Sequence, residues 1–493
     1  MKKLLFVTCI SVILLSSCDW LFEGETGGKT FWAQDMTTSS FYWITADLLA
    51  ENEYCKVYAE VNKGVTKSAA QNMADEYISI RSKMLNAFGF SIQGYDTLQI
   101  ADAFCDEDGK LTILLLDIRD GYQQGVNDSY VAGYFTPYNF FDAENSNLCD
   151  MIYIDTNPGL KEDPENAYST LVQELQHLMN FTSTLMYRRE VEDGVITDIF
   201  MMDTWIDEGL SSAAEWVYSG KHLVDRWGWY YLNGNGDGLI DKGNNFFVWG
   251  NRTNENQYAV LDDYATVYLF FQWLRLQSGG TGIYKDIIKS DKDDYLAVTD
   301  AASSIEASYK NNWSGLLGDW LAANYIYNSS GRYGYEDDFK FYINEELVTI
   351  KGLHLLSTDK QTISLYPGEG VFSLIDTDYA SGSVIPAGPG KNIRYYVLTN
   401  SPTTSMAEGA LLTYNANNVN SAPPTGSFME TGNVTGVTAN VSVVVPVNGR
   451  SVAAPFRITG PYRIGAGDVR RSGAPNLLPA GVFRLPNSIM LRE

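Results

Sequence analysis

The chain of 493 residues is long enough for two or three domains, and its 45% hydrophobic and 13% aromatic content excludes an intrinsically disordered or fibrous protein. Its 35 Lys and Arg residues are outnumbered by 60 Asp and Glu residues, which gives a formal net charge of -25. A surface of this sign repels phosphate backbones, so we expect no nucleic acid partner. The composition favours a folded protein of several lobes with an acidic, solvated surface.

The N-terminus has the pattern of a signal peptide. Lys2 and Lys3 precede an apolar run from Leu4 to Leu15, which is shorter than the roughly 20 residues of a membrane-spanning helix. The next residues, through Cys18, form the tetrad Leu-Ser-Ser-Cys, which resembles a bacterial lipobox. We therefore predict a lipoprotein signal peptide at 1–17 and an exported bacterial lipoprotein, periplasmic or surface-exposed, anchored to a cell-envelope membrane through Cys18. An ordinary secretory cleavage site beside an incidental cysteine is the alternative.

The chain after Cys18 divides into a tether and an α/β lobe. Residues 18–45 show no sustained periodicity, which predicts a lipid-anchored tether. Within 46–165, alternation predicts a strand at Tyr54–Val61, and apolar spacing predicts a helix at Ser68–Phe88. Further strands are predicted at Leu111–Asp117, Tyr130–Phe135 and Met151–Asp155. The first of them is expected to be buried on both faces.

The remaining chain changes pattern twice. Residues 166–345 carry long amphipathic segments, which predict a helical lobe with helices at Ala167–Tyr187, Thr204–Tyr218, Asp263–Gln277 and Trp313–Tyr327. Residues 346–493 are rich in Gly, Pro, Val, Thr and Ser with short alternating runs, which predict an antiparallel, sandwich-like β domain. Three cysteines of the mature chain, Cys55, Cys105 and Cys149, allow one disulfide or three free thiols.

The most informative segment is Val172–Phe181, inside a predicted helix. Zinc hydrolases of the H-E-x-x-H type place two ligands four residues apart on one helical face, with the intervening glutamate beside the attacking water. Here Glu174 and His177 fill the second and fifth positions, whereas the first position is Gln173. The downstream block Trp205-Ile-Asp-Glu-Gly-Leu-Ser211 offers Glu208 as the third ligand from a second helix. Together the two motifs predict a zinc site.

These motifs resemble the hyicolysin family of secreted bacterial zinc metallopeptidases, which are glutamate-type zincins. The resemblance covers about Cys55 to Asn328 and includes Asn180, Phe181 and the W-x-x-E-G-L-S block. It implies an α+β zincin-like fold, with a mixed-sheet α/β lobe and a helical lobe, followed by the β domain. It also implies a peptide or protein substrate, with a zinc-activated water and Glu174 as general base. Tyr264 resembles the family's oxyanion-stabilising tyrosine, although a core tyrosine is the simpler interpretation.

Gln173 stands where the family has its first histidine. The amide oxygen of glutamine is a poorer zinc donor than imidazole, so we expect lower affinity, a substitute ligand or loss of the metal. His222 could in principle be the substitute, but a structural histidine is the simpler interpretation. Two functions remain open. The first is an exported, lipid-anchored zinc metallo-endopeptidase, and the alternative is a catalytically inactive zincin-fold surface lipoprotein that acts as a binding protein or adhesin. The sequence predicts no oligomeric state.

A second metal motif lies within the helical lobe. Asn233, Asn235, Asp237 and Asp241 occupy positions one, three, five and nine of an EF-hand-like calcium loop, with Gly238 at position six. Position twelve is Asn244 instead of a bidentate glutamate, so a Gly/Asn-rich turn is the equal alternative. The segment Asp106–Gly109 resembles half of such a loop, but we expect an ordinary turn because Phe104 occupies the first ligand position.

Overall fold

The fold is taken from a computed structural model of the chain. The structure describes residues 28–127, 130–192, 195–231, 239–243, 246–249, 259–336, 338, 341–343, 346–348, 353–356, 361–376, 385–399, 410–414, 428–429, 438–441, 456–459 and 483–484.

The α-helices of the described residues lie between the first strands and the C-terminal strands. Two belong to the N-terminal lobe and the others follow the last strand of that lobe. They are α1 Lys67–Ala87, α2 Thr97–Ala103, α3 Pro164–Tyr187, α4 Thr204–Ser219, α5 Val224–Tyr231, α6 Ala259–Gln277, α7 Gly282–Ile288, α8 Tyr295–Ala302 and α9 Trp313–Ile326.

The strands fall into an N-terminal set and a C-terminal set. The N-terminal set is β1 Lys29–Asp35, β2 Ser40–Glu51, β3 Cys55–Glu60, β4 Ser91–Ile92, β5 Tyr95–Asp96, β6 Leu111–Leu116, β7 Tyr130–Phe135, β8 Met151–Asp155, β9 Arg189–Glu192 and β10 Val195–Ile199. The C-terminal set is β11 Phe341–Ile343, β12 Glu346–Val348, β13 Gln361–Leu365, β14 Gly370–Asp376, β15 Ile385–Gly388, β16 Lys391–Leu398, β17 Ala410–Tyr414, β18 Phe428–Met429, β19 Thr438–Val441, β20 Phe456–Thr459 and β21 Phe483–Arg484.

A mixed sheet organises the N-terminal lobe. Its strand order is β1-β2-β3-β6-β8-β7-β20, in which β3, β6 and β8 are parallel and the other neighbours are antiparallel. Parallel neighbours require a long crossover, and α1 and α2 provide it between β3 and β6. Helix α3 follows β8 directly and packs against β7 and β8. The sheet therefore supports α3, the helix that carries the predicted metal ligands.

Both faces of this sheet are buried. In β6, Ile113 and Leu115 contribute to the core shared with the helices, while Leu114 and Leu116 belong to a second core on the opposite face. This confirms the expectation of a strand that is buried on both sides, because side chains alternate between the two faces of a strand. Phe31 of β1 lies in the second core, so the first strand of the sheet helps to cover that face.

The sheet begins earlier than the sequence pattern predicted. Residues 18–45 were expected to form a tether, but β1 starts at Lys29 and β2 at Ser40. The outer edge of β1 is also bonded to the lobe, since the Trp32 amide donates to Asn147 Oδ1 at 2.8 Å and the Gln34 amide donates to the Tyr134 hydroxyl at 3.1 Å. Because these partners are distant in the chain, the local sequence pattern does not indicate that the folded lobe starts before residue 46.

The predicted helices and strands otherwise match the structure within a few residues. The C-terminal region contains the expected antiparallel pairs, with β13, β17 and β19 in one sheet and β14, β15, β16 and β18 in another. Its first strands share the core of the helical lobe, because Phe372, Tyr395 and Val397 belong to the same buried cluster as Trp313 and Leu317. The mixed α+β architecture is confirmed, and the zincin-like and sandwich-like descriptions stay predictions.

Two further expectations concern the cysteines and the membrane. Cys55, Cys105 and Cys149 are all free thiols, so no disulfide joins any two of these described cysteines. No helix in the described ranges has the length and apolar character needed to cross a bilayer. Cys18 lies outside the described residues.

Gly209 allows α4 to approach α6 closely. A Cβ atom built on Gly209 would lie 2.4 Å from ring carbons of Phe271, which is fully buried. We therefore expect Gly209→Ala to lower the free energy of unfolding by about 1–3 kcal/mol, although alanine favours helices. The matched control is Gly228→Ala in α5, where an added Cβ has no neighbouring atom of the described residues within 4 Å. Here we expect the free energy of unfolding to rise by about 0.5–1 kcal/mol. Urea unfolding followed by tryptophan fluorescence measures both, and equal stability of the two variants would contradict the close contact.

Candidate metal centre

Helix α3 brings the first two candidate ligands to one face. Asp163 caps its N-terminus by accepting from the Asn166 amide at 3.1 Å, and Pro164 occupies the first turn, where its missing N–H costs nothing. Gln173 and His177 lie one helical turn apart, so their side chains share a face. Both are buried, with exposed fractions of 1% and 5%. The helix therefore presents these two side chains to its neighbour in a site closed to bulk water.

Helix α4 supplies the third candidate ligand. It packs against α3, and Glu208 lies in its first turns with an exposed fraction of 2%. Glu208 Oε2 is 3.8 Å from His177 Nε2. Donor atoms that bind one zinc ion at about 2.0–2.1 Å in a tetrahedral arrangement lie about 3.3 Å from each other, so the observed separation is close to that of two ligands.

Three candidate donor atoms of these residues lack hydrogen-bond partners. Gln173 Oε1, His177 Nε2 and Glu208 Oε2 are all buried, and none of them bonds to any atom of the described chain. Buried polar atoms in folded proteins are nearly always paired, and an exception needs an explanation such as a bound ion. Imidazole nitrogen, carboxylate oxygen and amide oxygen form a donor set that suits a divalent metal. The residues present therefore fit the zinc ion that the sequence predicts.

The electrostatics of the ligand pair reflect this closed environment. Burial disfavours the charged imidazole of His177, but the carboxylates of Asp207, Glu208 and Glu174 outweigh burial and raise its pKa to about 10. Burial raises the pKa of Glu208 to about 8, against the opposing charge of His177. The acidic groups around His177 therefore favour a positive charge at its imidazole.

A chain of hydrogen bonds behind His177 fixes its orientation. His177 Nδ1 lies 2.9 Å from Asp207 Oδ2, and Asn180 Nδ2 donates to Asp207 Oδ1 at 2.6 Å. The guanidinium of Arg188 in turn donates to Asn180 Oδ1 at 3.1 Å. A carboxylate that holds the outer nitrogen of a metal-binding histidine directs the other nitrogen at the metal.

Sequence reasoning missed the roles of Asp207 and Arg188. Asp207 is the neighbour of the predicted ligand Glu208, and Asn180 belongs to the same motif as His177. The sequence therefore offered a signal for these two residues. Arg188 had no signal in the sequence, because its role depends on the turn after α3. There it is 2% exposed and also donates to the Ser290 carbonyl at 2.9 Å.

Glu174 is hydrogen-bonded to the sheet that supports α3. Its Oε2 atom accepts a hydrogen bond from the Phe135 amide of β7 at 2.9 Å, and the residue is fully buried. Its charge also acts on both His177 and Glu208. The predicted general base therefore lies within electrostatic reach of both candidate ligands, with one carboxylate oxygen fixed by the backbone of the sheet.

Tyr264 reaches the same site from α6. Its hydroxyl forms a hydrogen bond with Glu208, and Arg226 lies over its ring with 4.8 Å between the guanidinium carbon and the ring centroid. Burial raises the pKa of this phenol well above its usual range, so it stays a proton donor. Tyr264 lies in the second turn of α6 instead of opening it, because the helix begins at Ala259. The structure thus brings together the five residues predicted for this site: Gln173, Glu174, His177, Glu208 and Tyr264.

Neither remaining histidine substitutes for Gln173. His222 uses both ring nitrogens elsewhere, since Nδ1 lies 3.0 Å from the Tyr268 hydroxyl and Nε2 lies 3.4 Å from Asp338 Oδ2. His354 is buried beside Tyr230, with 3.3 Å between its Nδ1 and the tyrosine hydroxyl. Burial lowers the pKa of His354 to about 3. These contacts agree with the interpretation of His222 as a structural histidine.

Only one of the four predicted calcium ligands lies within the described residues. Asn233, Asn235 and Asp237 lie outside the described residues. Asp241 is described and is exposed in the short 3-10 helix Ile240–Lys242. This motif stays a prediction.

Comparison with known proteins gives one informative similarity. No protein-family profile matches the chain. The chain is 35% identical over 202 residues to a neutral metalloprotease, ShpI, of Staphylococcus hyicus, a match that covers 40% of this chain and 42% of that protein. The aligned part thus spans about two fifths of either protein. The similarity supports a metallopeptidase relationship for the matched part of the chain.

Proposed function

We propose that this protein is a zinc metallo-endopeptidase of the hyicolysin type, in which Gln173, His177 and Glu208 hold the metal. The observation that carries the proposal is the set of three buried donor atoms, one from each residue, that bond to nothing else in the described structure. The similarity to a neutral metalloprotease supports the same reaction class. The substrate would be a peptide or protein.

Each residue of the site has a distinct role in this proposal. Zinc, when bound, supplies Lewis acidity that activates water and polarises a peptide carbonyl. Glu174 takes the proton of the attacking water, and its buried position beside the ligands suits a general base. The Tyr264 hydroxyl donates a hydrogen bond to the oxyanion that develops on the substrate. Asp207 and Asn180 keep the imidazole of His177 oriented.

The glutamine preserves the charge of the site and weakens one donor. Both glutamine and neutral histidine are uncharged, so a Gln–His–Glu set has the same net charge as the His–His–Glu set of related peptidases. Only the strength of the donor at position 173 changes. The proposal therefore predicts a working but weaker zinc site. The alternative of an inactive surface binding protein follows if the weaker donor loses the metal entirely.

We also propose export and lipid anchoring at Cys18. This part rests on the N-terminal sequence alone, namely the two lysines, the short apolar run and the Leu-Ser-Ser-Cys tetrad. A lipid at Cys18 would place the peptidase site at the surface of a cell-envelope membrane.

The first test is zinc binding by the purified chain and two variants. We expect about one zinc ion per chain, loss of that zinc in Glu208→Gln, and an affinity at least about tenfold higher in Gln173→His. Elemental analysis and competition with a chromogenic chelator measure these values. Glu208→Gln keeps the shape of the side chain, so circular dichroism should show an unchanged fold. A metal-free parent together with a zinc-binding Gln173→His would instead establish the inactive alternative.

Glu174 is tested by activity. Glu174→Gln should retain zinc but lose cleavage of an unstructured protein such as casein by about 100-fold or more, since it can no longer accept a proton. Equal cleavage by parent and variant at matched zinc content would exclude Glu174 as the base.

Asp207 is tested through zinc affinity. Asp207→Asn keeps a hydrogen-bond acceptor for His177 but removes the charge, so zinc affinity should fall by about 10- to 100-fold. The matched control is Asp291→Asn, an exposed aspartate paired with Lys292, whose affinity should equal that of the parent. If both variants bind zinc as the parent does, Asp207 has no orienting role.

A further inference from the structure

A cluster of carboxylates, none of them a residue of the zinc site, lies where α2 leads into β6. Asp102 is in the last turn of α2, Asp106 and Asp108 are in the turn that leads to β6, and Asp150 immediately precedes β8. The Thr112 amide of β6 donates to the Asp150 carbonyl at 3.0 Å. The four residues therefore meet at the amino ends of two parallel neighbours, β6 and β8.

Three of these carboxylates have the spacing of ligands around one ion. One oxygen from each of Asp102, Asp106 and Asp108 lies within 4.8 Å of the other two. Calcium binds oxygen ligands at 2.3–2.6 Å, so oxygens around one ion lie at most about 5 Å apart. Backbone amides hold the turn in this shape, since the Gly109 amide donates to Asp102 Oδ1 at 2.8 Å.

Asp150 is an independent indication that a cation belongs here. Its side chain is 2% exposed, and its Oδ1 atom bonds to nothing in the described residues. Asp150 precedes β8 beside the start of β6, and the charges of Asp106, Asp102 and Asp108 act on its carboxyl group. A buried carboxylate without a partner is unfavourable unless a cation or a proton compensates it.

The neighbouring side chains do not supply enough positive charge. Lys56 forms an ion pair with Asp108, and the charge of Lys29 acts on Asp106. The cluster therefore has two neighbouring lysines for four carboxyl groups. Asp106 is exposed at the surface. The excess negative charge therefore stays at the mouth of the cluster, where an ion from solvent can reach it.

The donor atoms favour calcium over a softer metal. All candidate ligands are carboxylate oxygens, which suit calcium and magnesium. Cys105 and Cys149 are adjacent in sequence to Asp106 and Asp150, but no cysteine sulfur belongs to the set of ligand-spaced atoms among the described residues. Carboxylates from two separate segments also allow the larger and more flexible coordination of calcium.

We propose that Asp102, Asp106 and Asp108 bind a calcium ion, with Asp150 as the buried carboxylate behind it. The ion would connect the end of α2 to the first residues of β6 and β8. Because it binds only where these segments are folded together, it would stabilise the N-terminal lobe. This site is separate from the loop that contains Asp241, and it does not depend on zinc or on peptidase activity.

The test is titration of the full chain with calcium chloride, by calorimetry, in a calcium-free buffer. We expect the parent to bind calcium and to unfold at a higher temperature in its presence. Asp106→Asn should weaken calcium binding by about tenfold or more, because the exposed side chain loses a charged ligand while the fold is kept. Asp241→Asn is the matched control, and its affinity at the proposed site should equal that of the parent.

A second variant separates a ligand role from a structural one. Asp150→Asn should leave the calcium-free chain about as stable as the parent, since asparagine keeps the shape of the buried side chain, and should reduce the rise in melting temperature caused by calcium. The proposal fails if the parent binds no calcium, if Asp106→Asn binds it as tightly as the parent, or if only Asp241→Asn loses binding. Zinc content, measured in the same samples, stays at the parent value in either case.

Discussion

The structure depends on the burial of α3 along almost its whole length. From Thr170 to Met186 every residue of this helix is buried, including seven polar side chains between Gln173 and Ser183. A helix buried on all sides must pair these groups with its neighbours, because each unsatisfied one is costly. Glu174, His177 Nδ1 and Asn180 find partners in the Phe135 amide of β7, in Asp207 of α4 and in Arg188 after the helix. Gln173 Oε1 and His177 Nε2 form no hydrogen bond within the described residues. These pairings fix the rotation of α3 and hence the direction in which Gln173 and His177 point.

The surrounding elements make that position rigid. The mixed sheet has apolar cores on both faces, and the helical core continues into the first C-terminal strands through contacts around Trp313 and Tyr395. Helix α4 can lie close to α6 because Gly209 has no side chain, which brings Glu208 of one helix to Tyr264 of the other. A metal site requires donors held to within tenths of an ångström, and here each donor lies on a regular helix packed on several sides.

The two proposed metal sites differ in chemistry as their surroundings require. The site between α3 and α4 combines nitrogen and oxygen donors, is closed to solvent, and lies beside a base and a proton donor, as hydrolysis requires. The aspartate cluster has oxygen donors only, opens to solvent at Asp106, and lies between secondary structure elements. The first arrangement suits catalysis, and the second suits structural stabilisation.

The sequence by itself determined the element order, the buried character of β6 and the candidate residues at 173, 174, 177 and 208, because periodicity and i, i+4 spacing are local properties. It also indicated metallopeptidase chemistry, which the similarity to a neutral metalloprotease supports. Only the tertiary structure decided what depends on distant partners. It assigned β1 to the sheet, excluded His222 from the site, and joined Arg188, Asn180 and Asp207 behind His177. It also brought Asp150 to Asp102 and Asp106 across more than forty residues, because parallel strands align segments that are far apart in the chain.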